Sequence, residues 1–280
     1  MAEIMSQHGE WLSLIEVSGP FLAESVLNEA FPQGFPNLKT GKKARFRQTY
    51  EEWREAVDLD DELQTELHEL WVSWVLKQGL EWDEDNEGLE LKTGDQISPE
   101  LKVDLPEHQL ILKPSYVLYG SDTAKPYLLV SHYPANINLN DVLAGDGWST
   151  SPAERMSHLC RNVSTRLGLV TNGEQWMFVD APEDGITTYA CWYARYWNQE
   201  STTLNAFFEL LNIRTVFNGL GLNASKLTTL LDESVKHQDD VTETLGVQVQ
   251  RAVEVLVQSL DRINNDSNGE LLEGIEPPEL

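Results

Sequence analysis

The sequence predicts a mixed α/β protein of the α+β class, in which two helical regions flank a strand-rich core. Apolar residues recur at helical spacing near residues 63–75 and again after residue 200. Between them, short apolar runs rich in β-branched and aromatic residues are separated by turn residues, a pattern typical of strands. The chain is therefore predicted to have a mostly helical region with an acidic linker, an α/β core and a second helical region, at residues 1–96, 97–200 and 201–280.

The N-terminal region is predicted to contain a short helix at residues 23–30, between two turns that hold Gly and Pro. A second helical segment follows Asp60, which is a suitable N-cap residue, and closes at Gly79. Its apolar stripe includes Trp71 and Trp74, and at this spacing the two indoles are more typical of a core than of a base-stacking platform. The acidic stretch after Gly79 is predicted to be a linker.

The core region is predicted to contain a helix that runs into a tight hairpin. Ser151 and Glu154 have the spacing of a capping box, and Pro152 occupies the first helical position. In the hairpin, Asn172-Gly173 is predicted to form a type I′ turn, because this dipeptide suits its positive φ angles. Four further apolar runs are predicted to be strands, at residues 109–112, 115–119, 127–131 and 186–197.

The C-terminal region is predicted to be helical again. One helix is expected at residues 204–211. The longest helix of the chain is expected at residues 241–263, where valine, leucine and isoleucine side chains fall on one stripe.

The net charge of −26 is the strongest compositional signal. A uniformly acidic surface repels the phosphates that DNA binding must neutralise. Residues 51–110 contain 19 Asp and Glu against 4 Lys and Arg, whereas a short basic cluster lies at residues 39–47. That cluster is either a phosphate contact or, as such runs more often are, a solvated loop. The residues considered for DNA contact are Lys42, Lys43, Arg45, Arg47, Arg155, Arg161 and Arg166.

The sequence contains no recognisable signal peptide and no apolar run of membrane-spanning length. Cys160 and Cys191 are its only cysteines, and they have neither metal-binding nor redox spacing. A reducing cytoplasm is the expected location, without a membrane partner.

A helix, several short strands and a helix that leads to a strand pair are the skeleton of a PD-(D/E)XK-type nuclease core. Its chemistry requires an acidic residue after a proline on one strand and an acid-x-lysine on the next, so that carboxylates hold a divalent cation. The matching places are Pro114-Ser115 and Ser131-His132-Tyr133, where Ser115, Ser131 and Tyr133 replace the two acids and the lysine. The core is therefore predicted to be degenerate, without catalytic residues and without a metal site. His132 is typical of a hydrogen-bonded structural histidine.

One alternative retains nuclease activity. Asp104, Glu107 or Asp122, which lie near the first two strands, would then supply displaced carboxylates for a magnesium-dependent endonuclease. Another alternative, motivated by the clustered acids, is an acidic protein-interaction module or a mimic of DNA.

Five sequence stretches together resemble the N-terminal region of large adenine-specific DNA methyltransferases. These are the class I, type IIG-like restriction–modification proteins, including the methylases of the DISARM phage-defence systems. The Thr-Asn-Gly-x-x-Trp unit is also similar to one in the nuclease domains of type I restriction subunits. The stretches, which span nearly the whole chain, are GPFL at 19–22, FPQG at 31–34, SPAERM at 151–156, LGLVTNGEQWM at 167–177 and VTETLGVQVQRAVEVLVQSLD at 241–261.

The resemblance implies a non-catalytic module of an anti-phage restriction–modification system that serves assembly or DNA contact. Family members continue into a methyltransferase domain with a glycine-rich S-adenosylmethionine loop and an Asn-Pro-Pro-Tyr/Phe motif, and this sequence has neither. No cofactor is therefore expected in this chain, and it has no complete active site. The expected partners are a methyltransferase domain or other restriction and defence subunits, with DNA as a further candidate. The chain would be a fragment, a split gene product or a free-standing accessory protein.

Overall fold

The computed structural model describes residues 7–59, 62–83, 90–120, 125–143, 145, 147–217 and 227–238, together with positions 253 and 257. Residues Met1–Ser234 form one compact unit, and Val235–Leu280 form a second. The predicted N-cap Asp60 and the acid Asp122 lie outside the described residues, as does the predicted helix at 241–263 apart from its positions 253 and 257.

Most helices precede or follow the strand-rich part of the chain. A π-helical turn, Val75–Gly79, extends α4. A further helical stretch covers residues 227–238. Before it, the described residues form seven α-helices, which are α1 (Gln7–Leu12), α2 (Glu24–Ala30), α3 (Thr40–Asp58), α4 (Gln64–Trp74), α5 (Pro152–Asn162), α6 (Ser201–Leu211) and α7 (Ile213–Phe217).

Helix α3 corrects the expectation of a solvated loop at the basic cluster. Its 19 residues include most of that cluster. Phe46, Tyr50, Trp53 and Ala56 are buried on one side of the helix, so that an aromatic stripe ties it to the core. The lysines and arginines at its start are therefore held on a helix surface.

Seven strands form one mixed sheet with the order β1-β9-β8-β7-β6-β5-β2, and β3 and β4 form a separate antiparallel pair. Helix α5 connects β6 to β7, which is its parallel neighbour, and the other pairs of the large sheet are antiparallel. The strands are β1 (Glu16–Ser18), β2 (Leu91–Thr93), β3 (Val103–Leu105), β4 (Leu110–Leu112), β5 (Tyr116–Tyr119), β6 (Pro126–His132), β7 (Leu167–Thr171), β8 (Gln175–Asp180) and β9 (Thr188–Tyr193).

The large sheet has an apolar core on each of its faces. Side chains alternate along β6, so that Leu128 and Val130 join the core beneath α3, α4 and α6, whereas Leu129 joins the core beneath α5. The first core is strongly aromatic. Its fully buried tryptophans are Trp11, Trp53, Trp71, Trp82, Trp176, Trp192 and Trp197.

Helix α5 begins as the sequence predicts. The hydroxyl of Ser151 accepts a hydrogen bond from the backbone N–H of Glu154 at 3.3 Å, and the Glu154 carboxylate accepts one from the Ser151 N–H at 2.8 Å. The capping box is therefore confirmed, because both residues satisfy N–H groups that the helix itself leaves unpaired.

The turn between β7 and β8 differs from the predicted type I′ turn. Gly173 has a φ of 86°, but Asn172 does not have a positive φ, and a type I′ turn requires positive values at both central residues. The Asn172 side chain instead shapes the turn, since its oxygen accepts hydrogen bonds from the N–H groups of Glu174 at 3.0 Å and Gln175 at 2.6 Å.

Among the residues that the structure describes, no helix combines the length and the apolar character needed to cross a membrane.

Candidate functional site

The three positions predicted to be degenerate nuclease residues lie where β5 begins and β6 ends. Ser115 directly precedes β5, and its hydroxyl accepts a hydrogen bond from the backbone N–H of His132 at 3.2 Å. Tyr133 directly follows β6, and its N–H donates to the carbonyl of Thr171 at 2.8 Å. Ser131 is the penultimate residue of β6. The chain thus brings these positions to one end of the adjacent strands β5 and β6.

The side chains around this strand end point to opposite faces of the sheet. Tyr133 packs against the core beneath α5, and Ser131 shares its parity along β6. The His132 ring lies on the other face, 6.1 Å from the His68 ring and 5.9 Å from the Tyr116 ring, between centroids. The His132 ring is therefore separated from the side chains of Ser131 and Tyr133 by the sheet itself.

A cavity of about 370 Å³ opens beside His132, which we call the α4–β6 cavity. Helix α4 contributes one wall through Gln64, Thr65, His68 and Glu69. His132 and the segment after β6 contribute the other wall, through Pro134, Ala135 and Asn136.

Two imidazoles and one carboxylate define the polar chemistry of the cavity. His132 Nε2 lies 3.1 Å from Glu69 Oε1, and His68 Nε2 lies 2.9 Å from the carbonyl oxygen of Tyr133. His68 is only 7% exposed. The Nδ1 atoms of both imidazoles are buried, and neither has a hydrogen-bond partner among the described residues. Such buried orphan atoms are uncommon in folded proteins and call for a physical explanation.

The electrostatics of the cavity favour the neutral forms of His68 and Tyr116 beside the Glu69 carboxylate. Burial, and then the charge of His132, lower the pKa of His68. Burial, and then the nearby charge of Glu69, raise the pKa of Tyr116 to about 12. Among the described lining residues, Glu69 is the one carboxylate, and none is lysine or arginine.

The turn between β7 and β8, which contains the Thr-Asn-Gly unit, packs against the α4 wall of the cavity. A Cβ atom on Gly173 would lie 2.7 Å from Cζ2 of Trp53 and 3.0 Å from Cε1 of His68. The Gly173 carbonyl accepts hydrogen bonds from the indole N–H groups of Trp71 at 2.8 Å and Trp176 at 3.1 Å. This turn therefore holds His68 in place through close packing.

The four residues of the basic cluster considered for DNA contact lie on α3. Lys42 forms an ion pair with Glu81 at 2.9 Å. Arg47 lies 3.9 Å from Glu51, and Arg45 donates to Gln48 at 3.1 Å. Lys43 is half-buried near the start of the helix.

The three other arginines considered for DNA contact form bonds inside the fold. Arg155 is buried and donates to the Trp148 carbonyl at 2.6 Å. Arg161 donates to the Thr187 hydroxyl at 2.6 Å. The Arg166 guanidinium binds both carboxylate oxygens of Asp180, at 2.6 and 2.9 Å, and also Asp232 at 2.7 Å. These three are therefore positioned by the fold's own polar groups.

The acids considered as displaced nuclease ligands lie elsewhere. Asp104 is exposed on β3 of the two-stranded sheet, opposite Ile111. Glu107 is exposed in the short 3₁₀ helix Pro106–His108. Within the described part of the chain, no group of three or more His, Cys, Asp and Glu side chains is placed to hold a metal ion.

Sequence reasoning did not identify His68 and Glu69 as site residues. Both lie in a helix that the sequence predicts, but Glu69 meets His132 across 63 sequence positions, and no local pattern encodes that pairing. The usable signal was the His-Glu dipeptide on a helix together with a histidine at the end of an apolar strand.

No protein-family model, no curated protein and no solved structure matches the chain. The functional proposal therefore depends on the residues of the chain and on their geometry.

Proposed function

We propose that the chain is a non-catalytic, nuclease-like module of an adenine-specific DNA methyltransferase or restriction–modification defence system, and that it serves assembly. The carrying observation is the set Ser115, Ser131 and Tyr133 at the end of two adjacent antiparallel strands. The order of β5, β6, α5 and the parallel strand β7 supports a nuclease-like core at the same place.

Ser115, Ser131 and Tyr133 do not provide the groups that metal-dependent cleavage requires. Magnesium prefers carboxylate oxygens and holds several waters, one of which becomes the nucleophile in hydrolysis. Neutral serine hydroxyls bring no negative charge to a cation, and the Tyr133 phenol brings no positive charge to a phosphate. A module of this kind positions other subunits and leaves their substrates unchanged.

The charge of the chain favours assembly over direct DNA contact. A DNA-binding face releases counterions through unneutralised lysines and arginines. Here the net charge is −26, and Lys42 and Arg166 are paired with carboxylates. An acidic surface suits a basic protein partner, and association with such a partner weakens as salt rises.

The first test uses the purified chain with duplex DNA and magnesium or manganese. We expect no cleavage, and no mobility shift of the DNA at about 50 mM salt. Magnesium-dependent cleavage that is lost in Asp104→Ala or Glu107→Ala would establish the displaced-acid nuclease instead. A DNA shift without cleavage would replace assembly with DNA contact.

The second test restores the missing ligands. The triple variant Ser115→Asp, Ser131→Glu, Tyr133→Lys should bind Mn²⁺ with a Kd of about 1 mM or tighter in calorimetric titration, whereas the unchanged chain should not. The matched control Ser115→Asn, Ser131→Gln, Tyr133→Met has similar side-chain volumes without the charges, and it should not bind. If a folded restored variant fails to bind Mn²⁺, these three positions do not correspond to a nuclease site.

A further inference from the structure

We propose that the α4–β6 cavity binds a neutral or cationic nitrogen heterocycle that carries an exocyclic amine, such as an amino-substituted nucleobase. This inference goes beyond the assembly function, because it concerns the face of β6 that the degenerate nuclease positions do not use. Three properties of the cavity carry it: its size, its charge and its hydrogen-bonding groups.

The size of the cavity suits a small ring system. Its volume of about 370 Å³ is within the range of about 300–1,000 Å³ that is usual for small-molecule sites. Pro134 and Ala135 supply apolar surface, and the imidazoles of His68 and His132 also line the cavity. Imidazole rings are among the side chains on which nucleobases stack.

The charge of the cavity selects against anions. Glu69 is the one carboxylate among the described lining residues, and no lysine or arginine lines the cavity to neutralise a phosphate or a carboxylate. An anionic ligand would meet the Glu69 carboxylate with no lysine or arginine to compensate it, whereas a neutral or protonated amine would donate to Glu69. The ligand class is therefore neutral or cationic.

The hydrogen-bonding groups suit the edge of an amino-substituted heterocycle. The carboxamides of Gln64 and Asn136 each present a donor and an acceptor, which is the pairing that such amides make with an amine and its adjacent ring nitrogen. The Glu69 carboxylate accepts N–H bonds, although one of its oxygens already contacts His132. His68, which lines the cavity, is buried to more than nine-tenths, and its Nδ1 atom has no hydrogen-bond partner among the described residues.

The test is calorimetric titration of the whole chain with adenosine, cytidine and uridine at neutral pH. Competition among these nucleosides for the cavity is followed by NMR. Adenosine and cytidine carry an exocyclic amine next to a ring nitrogen, and uridine does not. We expect saturable binding of at least one amine nucleoside, at least tenfold tighter than that of uridine, and weaker binding of the corresponding 5′-monophosphate.

Two matched variants separate the cavity from the rest of α4. Glu69→Gln should weaken binding of the amine nucleoside about tenfold, because it removes the accepting carboxylate. Glu66→Gln makes the same change at an exposed position of α4 that does not line the cavity, and it should leave binding unchanged. Thermal unfolding of both variants verifies that each is folded.

The proposal is overturned if neither amine nucleoside binds at concentrations up to about 10 mM. It is also overturned if uridine or a monophosphate binds equally well, or if folded Glu69→Gln binds as tightly as the unchanged chain. None of these results bears on the assembly function, which the cleavage and Mn²⁺ experiments test separately.

Discussion

His68 links the stability of the fold to pH at the scale of a single side chain. Burial lowers its pKa, with a further contribution from His132, so that the folded chain resists protonation that the unfolded chain accepts near pH 6.5. The stability that neutral His68 contributes is complete above that pH, and it is lost as the pH falls through the lowered pKa of the folded state.

We therefore expect the free energy of unfolding to fall more steeply between about pH 7 and pH 5 in the unchanged chain than in His68→Gln, measured by urea denaturation. Glutamine keeps a donor for the Tyr133 carbonyl but does not titrate. His237→Gln, at an exposed position, serves as the control and should retain the steep dependence. Parallel pH profiles for His68→Gln and the unchanged chain would contradict this assignment.

Local interactions in the sequence were predictable, whereas contacts between side chains of distant elements were not. The capping box of α5 was predicted because Ser151 and Glu154 are three residues apart. The ends of β5 and β6 were predicted because short apolar runs bounded by turn residues mark the ends of strands. The α4–β6 cavity was missed because Glu69 and His132 belong to distant elements, and sequence spacing does not encode their approach.

At the scale of elements, the buried turn between β7 and β8 packs against the helices α3 and α4. Gly173→Ala would place a methyl group 2.7 Å from the Trp53 ring at a φ of 86°. We expect a loss of about 2–4 kcal/mol in the free energy of unfolding, since backbone strain and overpacking add. Equilibrium urea denaturation measures it.

Gly94→Ala separates those two causes. Gly94 has a φ of 55°, and nothing lies within 4 Å of a Cβ built there, so that only backbone strain applies. Its loss should be about 1–2 kcal/mol. Equal losses in the two variants would mean that the Trp53 and His68 contacts do not constrain the turn. The prediction of a type I′ turn between β7 and β8 was wrong because the Asn-Gly pattern carries no information about the hydrogen bonds that the Asn172 carboxamide makes in that turn.

Arg166 joins the β7–β8 hairpin to the helix at residues 227–238. The Asp180 side chain is 5% exposed and binds Arg166 in a bidentate manner, whereas the Asp232 side chain is 54% exposed. Asp180→Asn should lower the free energy of unfolding by about 3 kcal/mol, because it leaves the guanidinium half-buried without its main countercharge. Asp232→Asn should cost less than about 1 kcal/mol, because solvent screens the outer pair. Urea denaturation of both variants should rank them in that order, and the opposite ranking would show that the outer pair dominates.

The helix α3 illustrates what composition obscures at the element scale. Its first two turns are rich in lysine and arginine, and this composition favoured the prediction of a solvated loop. The aromatic stripe from Phe46 to Trp53 is buried, however, so that the segment packs against the core as a helix. Charge count describes the exposed side of a helix, whereas its periodic apolar residues determine whether it forms.

At the scale of the whole molecule, the net charge of −26 opposes the folded state through self-repulsion. Folding concentrates these charges, and added salt screens charges that are farther apart than the Debye length of about 10 Å at 0.1 M. Bidentate pairs such as Arg166–Asp180 are short and partly buried, so that salt weakens them far less.

We therefore expect the melting temperature to rise by several degrees between about 20 mM and 300 mM NaCl, followed by calorimetry or circular dichroism. Sodium acetate at the same ionic strength should produce a similar shift, because screening depends on ionic strength and not on the identity of a monovalent anion. A melting temperature that falls with salt would show that attractive ion pairs outweigh the repulsion.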